Sequence, residues 1–253
     1  MAKGGDARPV TPIATIGLII AVLAALAGLS AGLGYRLGWW PLGTGFGLLR
    51  YAAYGAIAAV VISGIGIILA LPGRGRRGLY RAIAGLVLGA VVFGVPWSHR
   101  LAAREAPPIH DITTDPGDPP PFVEILPLRA DARNPSNYGG EEVAAQQRAA
   151  YPTIQPVDTS LTPQQTFDLA LATAKDQGWE IVASVPSDGR IEATDTTLWF
   201  GFKDDIVIRI RPGASGARLD IRSTSRIGRG DTGTNAARIK AFLEDFEARI
   251  KGE

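Results

Sequence analysis

The chain has 253 residues, two histidines, no cysteine and a formal net charge of +2. Without thiols there are no disulfides, no zinc–thiolate centres and no cysteine nucleophile. The charge is unevenly shared: residues 1–97 hold eight Lys/Arg against one acid, a net of +7, and residues 98–253 hold 18 against 23, a net of −5. The basic residues flank apolar runs and no basic patch is interleaved with aromatics, so no nucleic-acid partner is expected.

Three charge-poor runs come first: Pro9–Tyr35, Tyr51–Gly73 and Ala82–Ser98. A helix crossing a bilayer needs ~20 apolar residues. Ile13–Leu33 and Tyr51–Leu71 meet that, and Leu79–Trp97 does so with Arg81 snorkelling to the headgroups. The pattern predicts a three-helix transmembrane anchor over residues 1–98, with the lipid bilayer as its partner. Lys3, Arg8, Arg74, Arg76, Arg77 and Arg81, at the N-terminus and second loop, outnumber Arg36 and Arg50 of the first loop and Arg100 and Arg104 beyond the third span. That bias places the N-terminus in the cytoplasm and the C-terminal domain outside, periplasmic or extracellular. Trp39, Trp40 and Trp97 then share the outer interface. Lys3, Arg8 and Ala25-Leu26-Ala27 resemble signal-peptide features, but the apolar run continues to Gly34, and a retained anchor is the better reading. The pairs Gly28/Gly32 and Gly85/Gly89 suit close helix packing within the anchor.

Residues 99–160 read as a proline-rich connector that either spaces the domain from the membrane or wraps along it. Phe122, Val123, Ile125 and Leu126 favour wrapping. Glu141–Ala150 fits a short helix. The domain proper, 161–253, starts with Thr162 as helix cap and Pro163 in the first turn. Phe167, Ala170, Leu171 and Ala174 form its apolar stripe and Gly178 ends it. Strands are expected at Trp179–Val185, Arg190–Thr197, Leu198–Phe202, Ile206–Arg211 and Arg218–Ser225, with a hairpin at Asp188-Gly189. A last helix follows from Asn235 to Ile250. The expected fold is α+β: three transmembrane helices, then an antiparallel sheet of four or five strands covered by two helices.

The runs IHDITTDPGDPPPF, YPTIQP, RIEATDTTLWFGFKDDIVIRI and LDIRSTSRIGRGDTGTNAARI resemble the family catalogued as domain of unknown function 1499, over residues 110–250. Members are often bacterial envelope proteins, some with preceding spans. The resemblance implies no biochemical activity.

Alternation puts Ile206, Ile208 and Ile210 on one sheet face, with Val207, Arg209 and Arg211 on the other. Leu219 and Ile221 likewise oppose Asp220, Arg222, Thr224 and Arg226. Such a face is either a set of cross-strand ion pairs or, with the connector folded over it, a polar groove; ion pairing is the more economical reading. The candidate ligand-binding residues are Asp204, Asp205, Arg209, Asp220, Arg222, Arg226, Arg229, Asp231, Asn235 and Arg238. Adjacent Asp204 and Asp205 point to opposite faces, with Asp111, Asp195 and Asp231 as candidate neighbours, and no D-x-D-x-D-G loop occurs, so no metal site is assigned. Gly228-x-Gly230-x-x-Gly233 matches a dinucleotide fingerprint but lacks the second strand of a βαβ unit. Helix capping by Asp231, Thr232 or Thr234 explains it better, although Arg226, Arg229 and Arg238 near a helix start suit an anion. No catalytic motif and no cofactor are assigned. The leading expectation is a non-catalytic envelope module binding an envelope protein or an anionic envelope component. The alternative is an acid-cluster hydrolase or lyase built on Asp204, Asp205 and Asp231.

Overall fold

A computed structural model of the chain describes residues 11–71 and 78–252. The chain forms two compact units, one of Met1–Arg100 with Leu198–Gly201, the other of Leu101–Thr197 with Phe202–Glu253. Lys3, Arg8, Arg74, Arg76 and Arg77, on which the orientation reading leans, lie outside the described residues.

The first unit holds α1 (Pro12–Arg36), α2 (Leu42–Ala70) and α3 (Leu79–Glu105) as far as Arg100. All three are long and apolar enough to cross a membrane. Their burial is inverted relative to a water-soluble bundle. Ala14, Gly17, Ala21, Ala24, Gly28 and Ala31 of α1 are buried, three or four residues apart on one face. Leu23 and Leu26 point outward, 60% and 58% exposed. Small residues let backbones approach closely where no hydrophobic effect drives large side chains inward. Gly17 and Gly85 both face Ser63 of α2, and a methyl at either would collide with it. Gly28 packs on Ala52 and Gly89 on the Ala56 carbonyl, so these glycines serve packing within the unit.

Two expectations are corrected here. Arg50 does not lie in the first loop, because α2 already begins at Leu42 and carries Arg50 on an exposed position. Leu198–Phe202 is not a strand: Leu198–Phe200 form a turn, followed by Gly201 at φ +67°. The aromatic side chains are held within the first unit instead. Trp199 lies against Gly32 and its Nε1 donates to the Leu29 carbonyl at 3.3 Å. Phe200 tilts onto Tyr35 and Phe46, ring centroids 6.2 and 5.6 Å away.

The second unit contains, in chain order, β1 (Asp111–Thr113), α4 (Gly140–Ala150), β2 (Val157–Thr159), α5 (Pro163–Asp176), β3 (Glu180–Val185), β4 (Arg190–Thr196), β5 (Lys203–Pro212), β6 (Ala217–Ser225) and α6 (Thr234–Gly252). Thr162 and Gln165 cap α5 reciprocally, as a threonine three residues before a glutamine allows. The antiparallel sheet runs β1-β6-β5-β4-β3, with β2 also on β6. It therefore has six strands, two more than the core meander. β1 pairs with Arg222–Thr224 and β2 with Ala217–Leu219, one after the other along the same edge of β6. Between them the Thr114 hydroxyl accepts from Ile221 N at 2.9 Å. Beyond β1, the Gln147 amide of α4 accepts from Thr113 N at 3.0 Å and donates to Thr113 O at 2.6 Å, standing in for a further strand. An otherwise open edge is thus satisfied.

Strand alternation then sorts the layers. Ile206, Ile208, Ile210, Leu219 and Ile221 face α5 and α6, where Phe167, Phe242 and Phe246 complete the main core. Trp179 stacks on Phe242 at 5.3 Å. On the opposite face the connector lies across the sheet, with Phe122 and Ile125 buried against Val207 and Val182. Val123 and Leu126 remain 44% and 45% exposed, so only half of that apolar quartet docks. Glu192 of β4 fixes the strap: its carboxylate accepts from the backbone N–H of Val123 (2.9 Å), Glu124 (3.2 Å) and Ile125 (2.8 Å), and pairs with Arg190.

Candidate functional site

Asp204 and Asp205 leave β5 on opposite faces, as alternation requires, and each organises its own cluster. On the helix side, Arg238 of α6 reaches Asp204 at 2.7 Å and Asp195 at 2.8 Å. Asn235 accepts from Arg238 Nη1 and from the Ser223 hydroxyl, both at 2.6 Å. Its amide donates to Ser225 Oγ at 2.9 Å and to the His110 carbonyl at 3.0 Å. Asp231 caps α6, accepting from Gly233 N at 2.9 Å and Asn235 N at 2.7 Å. Burial pushes its pKa up, the nearby Asp204 charge adds to that, and the two backbone N–H groups oppose it. The cap carboxylate sits where an anion would meet the helix start, and Thr232 takes a positive φ of 58° to shape the turn.

On the connector side, Asp205 is fully buried. Arg226 grips it with two bonds of 2.8 Å, Arg129 adds one of 2.5 Å, and the Thr194 hydroxyl donates at 2.8 Å. Arg226 Nη1 also donates to Leu128 O at 2.6 Å. Arg222 pairs with Asp111, not with the β5 carboxylates, through bonds of 2.9 and 2.7 Å. It also donates to Pro120 O at 3.1 Å and Ser136 O at 2.7 Å. Its guanidinium lies 4.9 Å from the Phe122 ring centre and 5.7 Å from that of Tyr138. Such forked pairs are the stronger class of ionic contact.

Farther along the sheet, Arg209, Arg211 and Arg218 surround Asp220, with Asp115 and Asp118 as outer partners. A hydrogen bond from Arg211 and the charge of Arg209 hold the Asp118 carboxyl below its ordinary range. Arg229 is solvent-exposed and, among the described residues, makes no ion pair.

The candidate residues therefore fall into separate groups. Asp204, Asp231, Asn235 and Arg238 meet near the start of α6. Asp205 and Arg226 meet under the connector, Arg209 and Asp220 meet at the far end, and Arg222 and Arg229 stand apart from these. Asp195 and Asp231 do neighbour Asp204, whereas Asp111 serves Arg222. Arg129, Glu192 and Tyr138 carry no sequence signal of their own. One clue was available for Glu192: a proline-rich strap docked on a sheet needs acceptors for its N–H groups. Among the described residues no three of His, Asp and Glu gather to hold a metal ion.

An open pocket of about 240 Å³ lies beside this network, with Arg222 and Tyr138 in its wall and Pro121 and Leu126 on its apolar side. Burial, chiefly, pushes the Tyr138 phenol up to about 12, with the Asp111 charge contributing. The phenol accordingly stays protonated at neutral pH.

Three helices long and apolar enough to cross a membrane, joined to a strapped α+β domain with an ion-paired interior, define a class: proteins that combine candidate membrane spans with an α+β module. The chain belongs to the family described as "Protein of unknown function (DUF1499)", whose model matches residues 111–246. A search of curated proteins gives no match.

Proposed function

We propose that this chain is a multi-pass inner-membrane protein whose helical unit anchors a non-catalytic binding or scaffold module on the extracytoplasmic side. The inner-membrane placement, with a cytoplasmic N-terminus, rests on the arginine bias and the aromatic set Trp39, Trp40 and Trp97. The non-catalytic role rests above all on Asp205, whose carboxylate is taken up by two guanidinium groups and a hydroxyl. A general acid or base needs a carboxyl free to exchange its proton with substrate. Asp111, Asp204, Asp220 and Glu192 are similarly engaged. Partners in the envelope, whether a protein or an anionic component, would then meet the exposed Arg229 and the half-exposed Arg211 and Arg218 rather than the sealed pairs.

Reporter fusions after Gly252 test the placement: activity confined to an extracytoplasmic reporter is expected, and a purely cytosolic signal overturns it. Asp205→Asn tests the role. A less stable protein with no associated turnover is expected; a stable variant that loses a measurable hydrolytic activity promotes the rival acid-cluster hydrolase or lyase. That rival draws on one observation, the raised proton affinity of Asp231, and both Asp231 oxygens are already engaged in the cap.

A further inference from the structure

The connection between β4 and β5, Leu198–Gly201, belongs to the helical unit and is held there by several contacts. Trp199 lies against Gly32, where any Cβ would collide with the indole. Its Nε1 donates to the Leu29 carbonyl at 3.3 Å, and Arg36 Nη1 donates to the Leu198 carbonyl at 2.6 Å. Phe200 is buried against Tyr35 and Phe46. Leu198, by contrast, is 86% exposed at the apex of the turn.

The seat of this turn says what Leu198 faces. Leu29, Gly32, Leu33 and Arg36 follow the i, i+3, i+4, i+7 spacing and so share one face of α1. Leu29 and Leu33 on that face are exposed, and Leu26, one turn earlier, continues the stripe. In a helix long enough to cross a bilayer, whose small residues take the packing face, such leucines are the lipid-facing surface. A lone exposed leucine is ordinary on a water-facing surface. Here it extends a leucine stripe that already has the character of a lipid contact. Leu29 to Arg36 covers about 10 Å of helix at ~1.5 Å per residue. That matches the depth, roughly 5–10 Å, to which interfacial apolar elements enter a bilayer.

The polar groups are arranged to suit. In hydrocarbon a donor has to be satisfied within the protein. The indoles of Trp199 and Trp40 both donate to carbonyls of α1, those of Leu29 and Ala31. Arg36, at the end of the span, takes up the Leu198 carbonyl in the same way. Tryptophans gathered at the end of a span are the composition of a membrane interface.

We propose that Leu198 and Trp199 form a lipid-inserting tip, a contact with the bilayer separate from the three spans and made at the boundary between headgroups and acyl chains. The occupant is phospholipid, because the surface is continuous with the leucines of α1. The tip's role rests on α1–α3 being membrane spans, and the test tells the two apart.

The chain has no cysteine, so a single reporter can be placed at will. Leu198→Cys, Leu23→Cys and Leu128→Cys are each labelled with an environment-sensitive fluorophore in the full chain, reconstituted in phosphatidylcholine nanodiscs. All three leucines are exposed, Leu23 on α1 and Leu128 on the connector, so the substitutions disturb little packing. Lipids brominated high on the acyl chain should cause a strong loss of emission at 198. Lipids brominated near the chain end should do so at 23, and neither should affect 128. Aqueous iodide should quench 128 and spare the other two. Lipid quenching at 23 with none at 198 overturns the proposal and leaves the spans standing. No lipid quenching at 23 removes the spans and the tip together. Protection at 198 from lipid and iodide alike would mean that protein covers the tip, a second copy of the chain included, and overturns the lipid assignment. Equal lipid quenching at 128 and 198 would show the fluorophore dissolving in lipid by itself, and overturns it as well.

Discussion

Arg129 of the connector and Asp205 of β5, 76 positions apart, meet at 2.5 Å with both side chains almost sealed from water. The contact is a lock between strap and sheet, and its energetics are set by what stays buried when one partner is removed. Asp205→Ala leaves two guanidinium groups facing no charge and should cost about 3–5 kcal/mol in chemical denaturation. Arg129→Met should cost clearly less, because Arg226 still holds the carboxylate. Equal losses would show that Arg226 does not compensate.

Glu192→Gln is nearly isosteric but replaces one acceptor oxygen with a donor. The three N–H groups of Val123, Glu124 and Ile125 and the Arg190 guanidinium then share a single oxygen. A loss of about 2–4 kcal/mol is expected, from weakened charge-assisted bonds and unsatisfied donors. Hydrogen exchange should speed up at residues 123–125 well before it does in β5. Unchanged protection there would contradict the clamp.

The two shifted aspartates should act on stability with opposite sign. The raised pKa of Asp231 means the folded state binds that proton more readily than the unfolded one. Its contribution therefore grows as pH falls through the folded value toward the ordinary carboxylate value. Asp118, with its pKa lowered, stabilises above the unfolded value and loses that as pH falls through the folded one. Asp231→Asn keeps a capping oxygen and should make the stability profile fall more steeply on acidification than in the parent. Asp118→Asn should make it flatter. Denaturation series from pH 3 to 7 read both; identical profiles would show that neither group titrates as its surroundings require.

In the helical unit the expected contrast lies between Gly85 and Gly64. A Cβ at Gly85 would meet Ser63 Oγ at 2.5 Å and Leu18 N at 2.9 Å, whereas one at Gly64 meets nothing within 4 Å. Gly85→Val should lower the thermal stability of the detergent-solubilised unit by roughly 1–3 kcal/mol, as overpacking does. Gly64→Ala should be neutral or slightly stabilising, as helix propensity dictates. Equal behaviour of the two would argue against the packing of α3 on Ser63.

Elements with a local cause could be read from the chain itself. Thr162 with Pro163 and Gln165 starts α5 wherever the helix lands, and the isoleucines at 206, 208 and 210 commit β5 to one buried face. The same alternation correctly sends Asp204 and Asp205 to opposite sides. Leu198–Phe202 reads as a strand by composition, yet Trp199 and Phe200 find apolar neighbours in the helical unit that no local pattern announces. β1 and β2 escape notice for a related reason. Three residues carry too little period to reveal a strand, and both exist because β6 offers an unpaired edge.

By itself the sequence determined the span-length helices, the caps, the face of each long strand and the family, because each follows from periodicity or from contiguous residues. Only the tertiary structure decided which arginine holds which aspartate. Arg222 and Asp111 lie 111 positions apart, and alternation names a side of the sheet without naming the partner that will be there. That choice depends on how the proline-rich strap crosses the sheet, which is settled by the acceptors of Glu192 and the docking of Phe122 and Ile125, interactions that exist only once distant segments are brought together.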